Sequence, residues 1–367
     1  MIKIEKRRTT SLLTTILVSL AAVLISVIIT FILLLALGYE PFEIMARVFK
    51  STYLELPGLI NMLVVFIPLS LCAMSVLIAA KAGLWNIGVE GQFYIGAIMA
   101  TWIGIYGTGV PKIVLIPLMV IAGGLVGGLL CYVCVLPKIK LNISETLTTI
   151  IMNDVIILLT RWVCYDSPLS SPTSQGGQTM GIAQSGWLPV LIPNSRVHAG
   201  LIVSIVLIVL CYLFMYKTVP GFELRLVGSN PRGAKYNGIS QTKYFFIAMM
   251  LSGMMAGVAG ALEVSGVVHS LQPTIASGYG LSAFSVAWIA RLNIFALGII
   301  SFLFSGLFVM GDKMQMWALP YSITNVIKGL ILLFILGGEF LAYYKITFVK
   351  KDKAADEPTQ LEEQKEG

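Results

Sequence analysis

Long apolar runs separated by short polar or basic stretches recur along almost the whole chain. A run of about 20 residues crosses the ~30 Å hydrocarbon core of a bilayer as a helix, so each long run predicts a membrane span. Residues 11–38 form the first, followed by a mixed-charge segment, 40–55, whose amphipathic stretch FEIMARVF suits the membrane interface. Further spans are predicted at 56–80, 93–106, 113–136, 144–165, 198–216 and 244–268, and the last at 320–343. Pro137 is expected to end the fourth of these runs, and Ser144 or Asn142 to cap the next. Residues 281–310 are too long for one span and are interrupted by Arg291, Leu292 and Asn293, which predicts two shorter spans with a turn between them. The expected fold is an all-α polytopic membrane protein with about ten transmembrane helices. Eight or nine result if 81–92 is re-entrant.

Composition agrees with that pattern: 57% of residues are hydrophobic and only 12% charged, too little polar surface for a soluble domain of this length. The +7 net charge sits in short clusters between apolar runs, which argues for membrane orientation and against nucleic acid as a partner. Most basic residues fall at 1–10, at Lys81, Lys138 and Lys140, in the 217–243 loop and in the tail. The positive-inside rule therefore places both termini in the cytoplasm. The organisation expected is a cytoplasmic N-terminus (1–10), a transmembrane domain (11–343) with a large outer loop at 166–196, and a disordered cytoplasmic tail (344–367). The first apolar run is too long for a signal-peptide core and is expected to be retained as a span. Cys72, Cys131, Cys134, Cys164 and Cys211 all lie in or beside apolar runs and suggest neither a disulfide framework nor a metal site.

Candidate chemistry lies where polarity enters these runs. The segment KAGLWNIGVEGQ (81–92) sets Asn86, Glu90 and Gln92 among three glycines, and irregular backbone at membrane depth requires burial in protein or contact with water. With Asn153, Glu263 and Asn325 these residues form the candidate translocation pathway; the bland reading of each is a hydrogen bond holding helices together. Glu263 with Lys328, or Asp154 with Arg161, are plausible structural ion pairs. Small-xxx-small spacing marks Gly124 and Gly128, and Gly253 and Gly257, for close helix packing. His198 and His269 fall near predicted outer ends. The basic loop 217–243 carries Lys217, Arg225, Arg232, Lys235 and Lys243 against Glu223, and its centre, 230–238, has the proline and glycine punctuation of a short capped helix. Such a helix outside the membrane suggests a docking element. No catalytic constellation or phosphate-binding loop is present. An ATPase-independent carrier using Glu90, Asp154 or Glu263 remains a rival reading.

The segments AGLWNIGVEGQFYIGA (82–97), ISETLTTIIMND (143–154) and GFELRLVGSNPRGAKYNGI (221–239), with the glycine-rich stretch 253–280, resemble the permeases of ABC importers in the branched-chain amino acid and simple-sugar superfamily. They look most like the larger permease of bacterial nucleoside importers. The resemblance covers residues 56–340 and departs at 290–294, where Ala290 stands in place of a family glycine and Ile294 in place of a family proline. It implies a multi-pass bacterial inner-membrane subunit without cofactor or enzymatic activity of its own, the ATP being hydrolysed by partners. Those partners would be cytoplasmic ABC ATPases, a second permease or a copy of this chain, and an external substrate-binding lipoprotein. The implied solute is a nucleoside, with a simple sugar as the alternative. The ATPase-coupling role carries over to Gly228, Asn230, Ala234, Gly238 and Ile239; Arg232 and Lys235 are added as charges able to meet an acidic partner surface.

Overall fold

The computed structural model describes residues 2–6, 12–172, 176–316 and 319–348. The described chain is almost entirely helical. Its elements are β1 (Ile2–Lys6), α1 (Leu12–Ala36), α2 (Pro41–Phe49) continuing into a π-helical turn, α3 (Leu56–Lys81), α4 (Val89–Tyr106), α5 (Lys112–Leu141) and α6 (Glu145–Tyr165). Then follow α7 (Gly200–Lys217), α8 (Val219–Ser229), α9 (Pro231–Tyr236), α10 (Gln241–Glu263), α11 (Tyr279–Ile289), α12 (Ile294–Met316), α13 (Tyr321–Tyr343) and β2 (Tyr344–Phe348). Among the described residues, 6 helices are long and apolar enough to cross a membrane: α3, α5, α6, α7, α10 with its π-helical extension, and α12. Shorter apolar helices occur within α1, at α11 and within α13.

The chain divides into two compact units. The larger, residues 34–329, is built around α10, which packs against α3, α4 and α5, while α3 packs in turn against α7, α11 and α12. Glycine makes the α4–α5–α10 contact possible. A Cβ on Gly127 would lie 2.9 Å from the Gly257 Cα, one on Gly124 2.8 Å from Val258, and one on Gly128 2.7 Å from Met254. Gly253 and Gly257 meet the Gly127 and Gly123 carbonyls from the other side, and Gly96 of α4 abuts Gly257. Backbones that approach this closely gain dispersion contacts, which supply association where lipid offers no hydrophobic driving force. All five cysteines are free and buried.

The smaller unit holds the two ends of the chain. β1 and β2 pair antiparallel, Ile2 opposite Phe348 and Glu5 opposite Lys345. The expectation of a disordered tail from 344 is therefore corrected at 344–348: YKITF is rich in β-branched and aromatic residues and finds a strand partner in IKIEK. Residues 7–10 and 349–367, for which cytoplasmic segments are expected, lie outside the described residues.

A second correction concerns Pro137. Helix α5 continues through it and stops at Asn142, which takes a left-handed conformation (φ 55). Proline withholds the amide proton that would bond the Val133 carbonyl, and at the next carbonyl, Cys134, the Thr148 hydroxyl of α6 donates at 2.7 Å. The turn at 291–293 forms as expected, with Arg291 and Leu292 at φ 50 and 54.

Candidate functional site

Helix α3 ends in a Schellman closure. The Leu84 amide bonds back to the Ala79 carbonyl and the Gly83 amide to Ala80, both at 3.0 Å, with Gly83 left-handed at φ +77. Leu84 then enters a core cluster with Ala79, Cys131, Val135 and Met249. The chain that follows, 85–88, has no helical hydrogen bonds of its own, so its amides need partners from elsewhere.

Helix α6 supplies them. Glu145, Thr149 and Asn153 recur every fourth residue and share one face. The Trp85 amide donates to Glu145 Oε1 at 3.2 Å, the Ile87 amide to Thr149 Oγ1 at 3.4 Å, and the Gly91 amide to Asn153 Oδ1 at 2.5 Å. Glu145 is buried and its other oxygen pairs with Lys138 Nζ at 3.1 Å. Glycine is required opposite this ladder. A Cβ on Gly88 would lie 2.6 Å from the Thr149 carbonyl, and one on Gly91 2.8 Å from the Asn153 Cα.

On the other side, Asn86 and Gln92 exchange reciprocal amide hydrogen bonds of 2.8 and 2.9 Å. Asn86 also donates to Ser252 of α10 at 2.8 Å, and Ser252 bonds to Ser75 of α3. Both amide residues are 1% exposed. In this conformation they hold the break together, and the described side chains leave them no free group for a solute. Glu90 differs: the Gly278 and Leu281 amides face its carboxylate, while Oε2 is buried without a hydrogen-bond partner. Glu263 is buried at the end of α10 and Asn325 is exposed on α13. Asn86, Glu90, Gln92 and Asn153 gather at the break, Glu263 shares with Glu90 the surroundings of the buried Cys72, and Asn325 lies on α13.

The proposed ion pairs are corrected. Lys328 pairs with Asp312 at 3.3 Å, not with Glu263. Among the described residues no ion pair joins Asp154 to Arg161.

The basic loop contains two helices where one is expected. Thr218 caps α8 through its hydroxyl, which accepts from the Gly221 amide at 3.2 Å. Asn230 caps α9 by accepting from the Gly233 amide at 3.0 Å. Helix α9 closes with a second Schellman pair, Gly238 amide to Lys235 and Ile239 amide to Ala234, with Gly238 at φ +73. Gly238 and Ile239 therefore form the helix stop, Ala234 is its buried face, and Arg232, Lys235 and Tyr236 are exposed, Tyr236 by 93%.

The loop and the break meet at glycine. A Cβ on Gly228 would lie 2.8 Å from both the Ala82 carbonyl carbon and the Gly83 nitrogen, and one on Gly83 would lie 3.2 Å from the Gly228 Cα. From Gly83 the chain runs directly to Trp85, which stacks on Trp288 of α11 with centroids 5.2 Å apart. The α8–α9 loop, the break, the start of α6 and the end of α11 thus form one connected assembly at the end of the bundle that carries Lys81 and Lys138.

Several of these contributors are missing from the sequence reading. Thr149, Ser75 and Ser252 are single hydroxyls in apolar runs, and Gly96 lies in an ordinary glycine context. Only the four-residue spacing of Glu145, Thr149 and Asn153 offered a signal.

The model of the family described as "Branched-chain amino acid transport system / permease component" matches residues 58–336, which include the break, the α6 ladder and the α8–α9 loop. The chain belongs to this permease family. Among curated relatives, the permease is 29% identical to the glucose ABC transporter permease protein TsgB13 of Haloferax volcanii, over 89% of this chain and 88% of that one. It is 28% identical to the nucleoside ABC transporter permease protein NupB of Lactococcus lactis, over 87% and 90% respectively. It is 29% identical to the guanosine ABC transporter permease protein NupP of Bacillus subtilis, over 77% and 80%. No solved structure matches the permease.

Proposed function

We propose that this permease forms the membrane path of an ATP-driven importer for nucleosides, and that its α8–α9 loop receives the motion of a cytoplasmic ATPase. The contact of Gly228 with Ala82 and Gly83 carries the reading. It joins the exposed, basic helix α9 to the polar break with no flexible side chain between them, so a displacement of α9 and α8 moves the break directly. Two of the three relatives are named for nucleosides or guanosine. A second permease and an external binding protein complete the expected machine in a bacterial inner membrane, with both permease termini inside.

A simple sugar is the second reading, favoured by the glucose permease TsgB13. Uptake of radiolabelled guanosine, uridine and glucose by cells with and without the intact gene separates them. Loss of nucleoside uptake alone supports the first reading, and loss of glucose uptake alone supports the second. Uptake that continues in ATP-depleted cells and collapses with a proton uncoupler overturns both in favour of a secondary carrier.

A further inference from the structure

At the end of the bundle that carries Lys81 and Lys138, two cations share a corner without an anion. Arg225 of α8 lays its guanidinium on the Tyr216 ring of α7, 4.5 Å from the centroid, and its Nε is buried without a hydrogen-bond partner. Gly228, one turn further along α8, rests on the carbonyl of Lys81, where a Cβ would come within 2.2 Å of the oxygen. Lys81 is thereby close enough for the Arg225 charge to bear on it. Both side chains are half-buried, and among the described residues neither has a carboxylate partner. The acids of this region are engaged elsewhere: Glu223 accepts from the Tyr244 hydroxyl, and Glu145 pairs with Lys138. Two like charges drawn together and partly desolvated call for an anion between them.

The surroundings select the anion. Along α7 the residues Ile202, Ile205, Val209 and Leu213 are exposed and apolar, as expected of a face toward lipid, and Tyr216 continues the same stripe at its foot. Tyr216 and Tyr212 are in ring contact at 5.2 Å, and Tyr212 meets Phe295 at the start of α12 at 4.9 Å. Tyrosines at the end of an apolar helix mark the level of lipid headgroups. Arg225 is turned onto this helix, whereas Arg232 and Lys235 of α9 stand exposed. We infer that Arg225 and Lys81 hold the phosphate of an anionic phospholipid headgroup, with Tyr216 backing the guanidinium. A guanidinium fork and an ammonium suit phosphate oxygens, and the acyl chains of that lipid would lie along the apolar stripe of α7. Because α8 also carries Gly228 against Ala82 and Gly83, a lipid held here braces the loop against the break. The inference goes beyond the importer reading and does not depend on the solute.

Native mass spectrometry of the purified full-length chain tests it, with bound fractions read at stepped concentrations of dioleoylphosphatidylglycerol, dioleoylphosphatidylcholine and inorganic phosphate. The expected result is phosphatidylglycerol held about tenfold more tightly than phosphatidylcholine, with no saturable adduct of inorganic phosphate. Arg225→Gln combined with Lys81→Gln removes that preference, and Arg225→Lys keeps most of it. Lys140→Gln, which removes an exposed charge at the end of α5, leaves it intact. Arg225→Gln alone weakens the preference by about fivefold, which keeps the test standing if the double variant fails to fold. Equal binding of the two lipids by wild type overturns the inference, as does a preference that survives Arg225→Gln or falls equally with Lys140→Gln. Saturable binding of inorganic phosphate as tight as that of phosphatidylglycerol overturns the lipid as occupant. Loss of a co-purifying ATPase from the Arg225→Gln variant, with its lipid preference unchanged, gives the corner to a protein partner and also overturns the inference.

Discussion

Gly228 and Gly83 meet backbone to backbone, with the Gly228 Cα 3.2 Å from the place a Gly83 Cβ would occupy. This contact lets a helix outside the membrane act on a non-helical segment inside the bundle. Because Gly83 also ends α3 in a left-handed conformation, two demands fall on one residue. Gly83→Ala is expected to cost about 1–2 kcal/mol from the backbone conformation alone and to push α8 away. Thermal unfolding in detergent should show a lowered midpoint, and uptake should fall further than the loss of folded protein explains.

The Asn86–Gln92 pair makes a distinct prediction. Replacing Gln92 with Leu leaves Asn86 buried with part of its amide unsatisfied, at a cost of about 1–3 kcal/mol. Replacing both with Leu should cost less than the sum of the two single changes, with a coupling of at least ~0.5 kcal/mol. A double-mutant cycle by thermal unfolding checks this. Strict additivity would show that the two amides do not support one another.

At the opposite end of the bundle, His198 is buried. Its Nδ1 accepts from the Gly200 amide at 3.1 Å, while Nε2 has no partner among the described residues. Burial, and then the charge of nearby His269, push its pKa down to about 4. The unfolded chain takes up this proton near pH 6.5 and the folded chain does so only near pH 4, so stability falls as pH drops through that window. The loss is on the order of 3 kcal/mol by pH 4, and none occurs above pH 7. Unfolding midpoints measured from pH 7.5 to 4 should fall for wild type and flatten for His198→Asn.

The sequence reading located most helices because span length and charge asymmetry are strong local signals. It found the break at 81–92 from its glycines and polar residues, and the cap and stop of α9 from Asn230, Pro231 and Gly238. What it could not show was pairing across the chain. That Asn86 faces Gln92 and Ser252, that Asn153 holds an amide of the break, and that Gly228 rests on Gly83 are all tertiary facts with no local trace. Polar residues read as pathway candidates proved, at Asn86, Gln92 and Asn153, to be engaged with the backbone or with one another. The β1–β2 pairing was illegible for the same reason: each strand is five residues long and finds its partner at the far end of the chain.

The most direct test of coupling uses Gly228→Ala in proteoliposomes that hold the complete transporter, with ATP hydrolysis and solute uptake measured on the same sample. A single methyl group meets the Ala82 and Gly83 backbone here, and neither can move aside without disturbing the break. The expected result is an assembled complex that retains its ATPase subunits and hydrolyses ATP, with uptake reduced at least ~10-fold, equivalent to about 1.4 kcal/mol or more of lost coupling. Uptake equal to wild type at equal ATPase activity would contradict transmission through this contact.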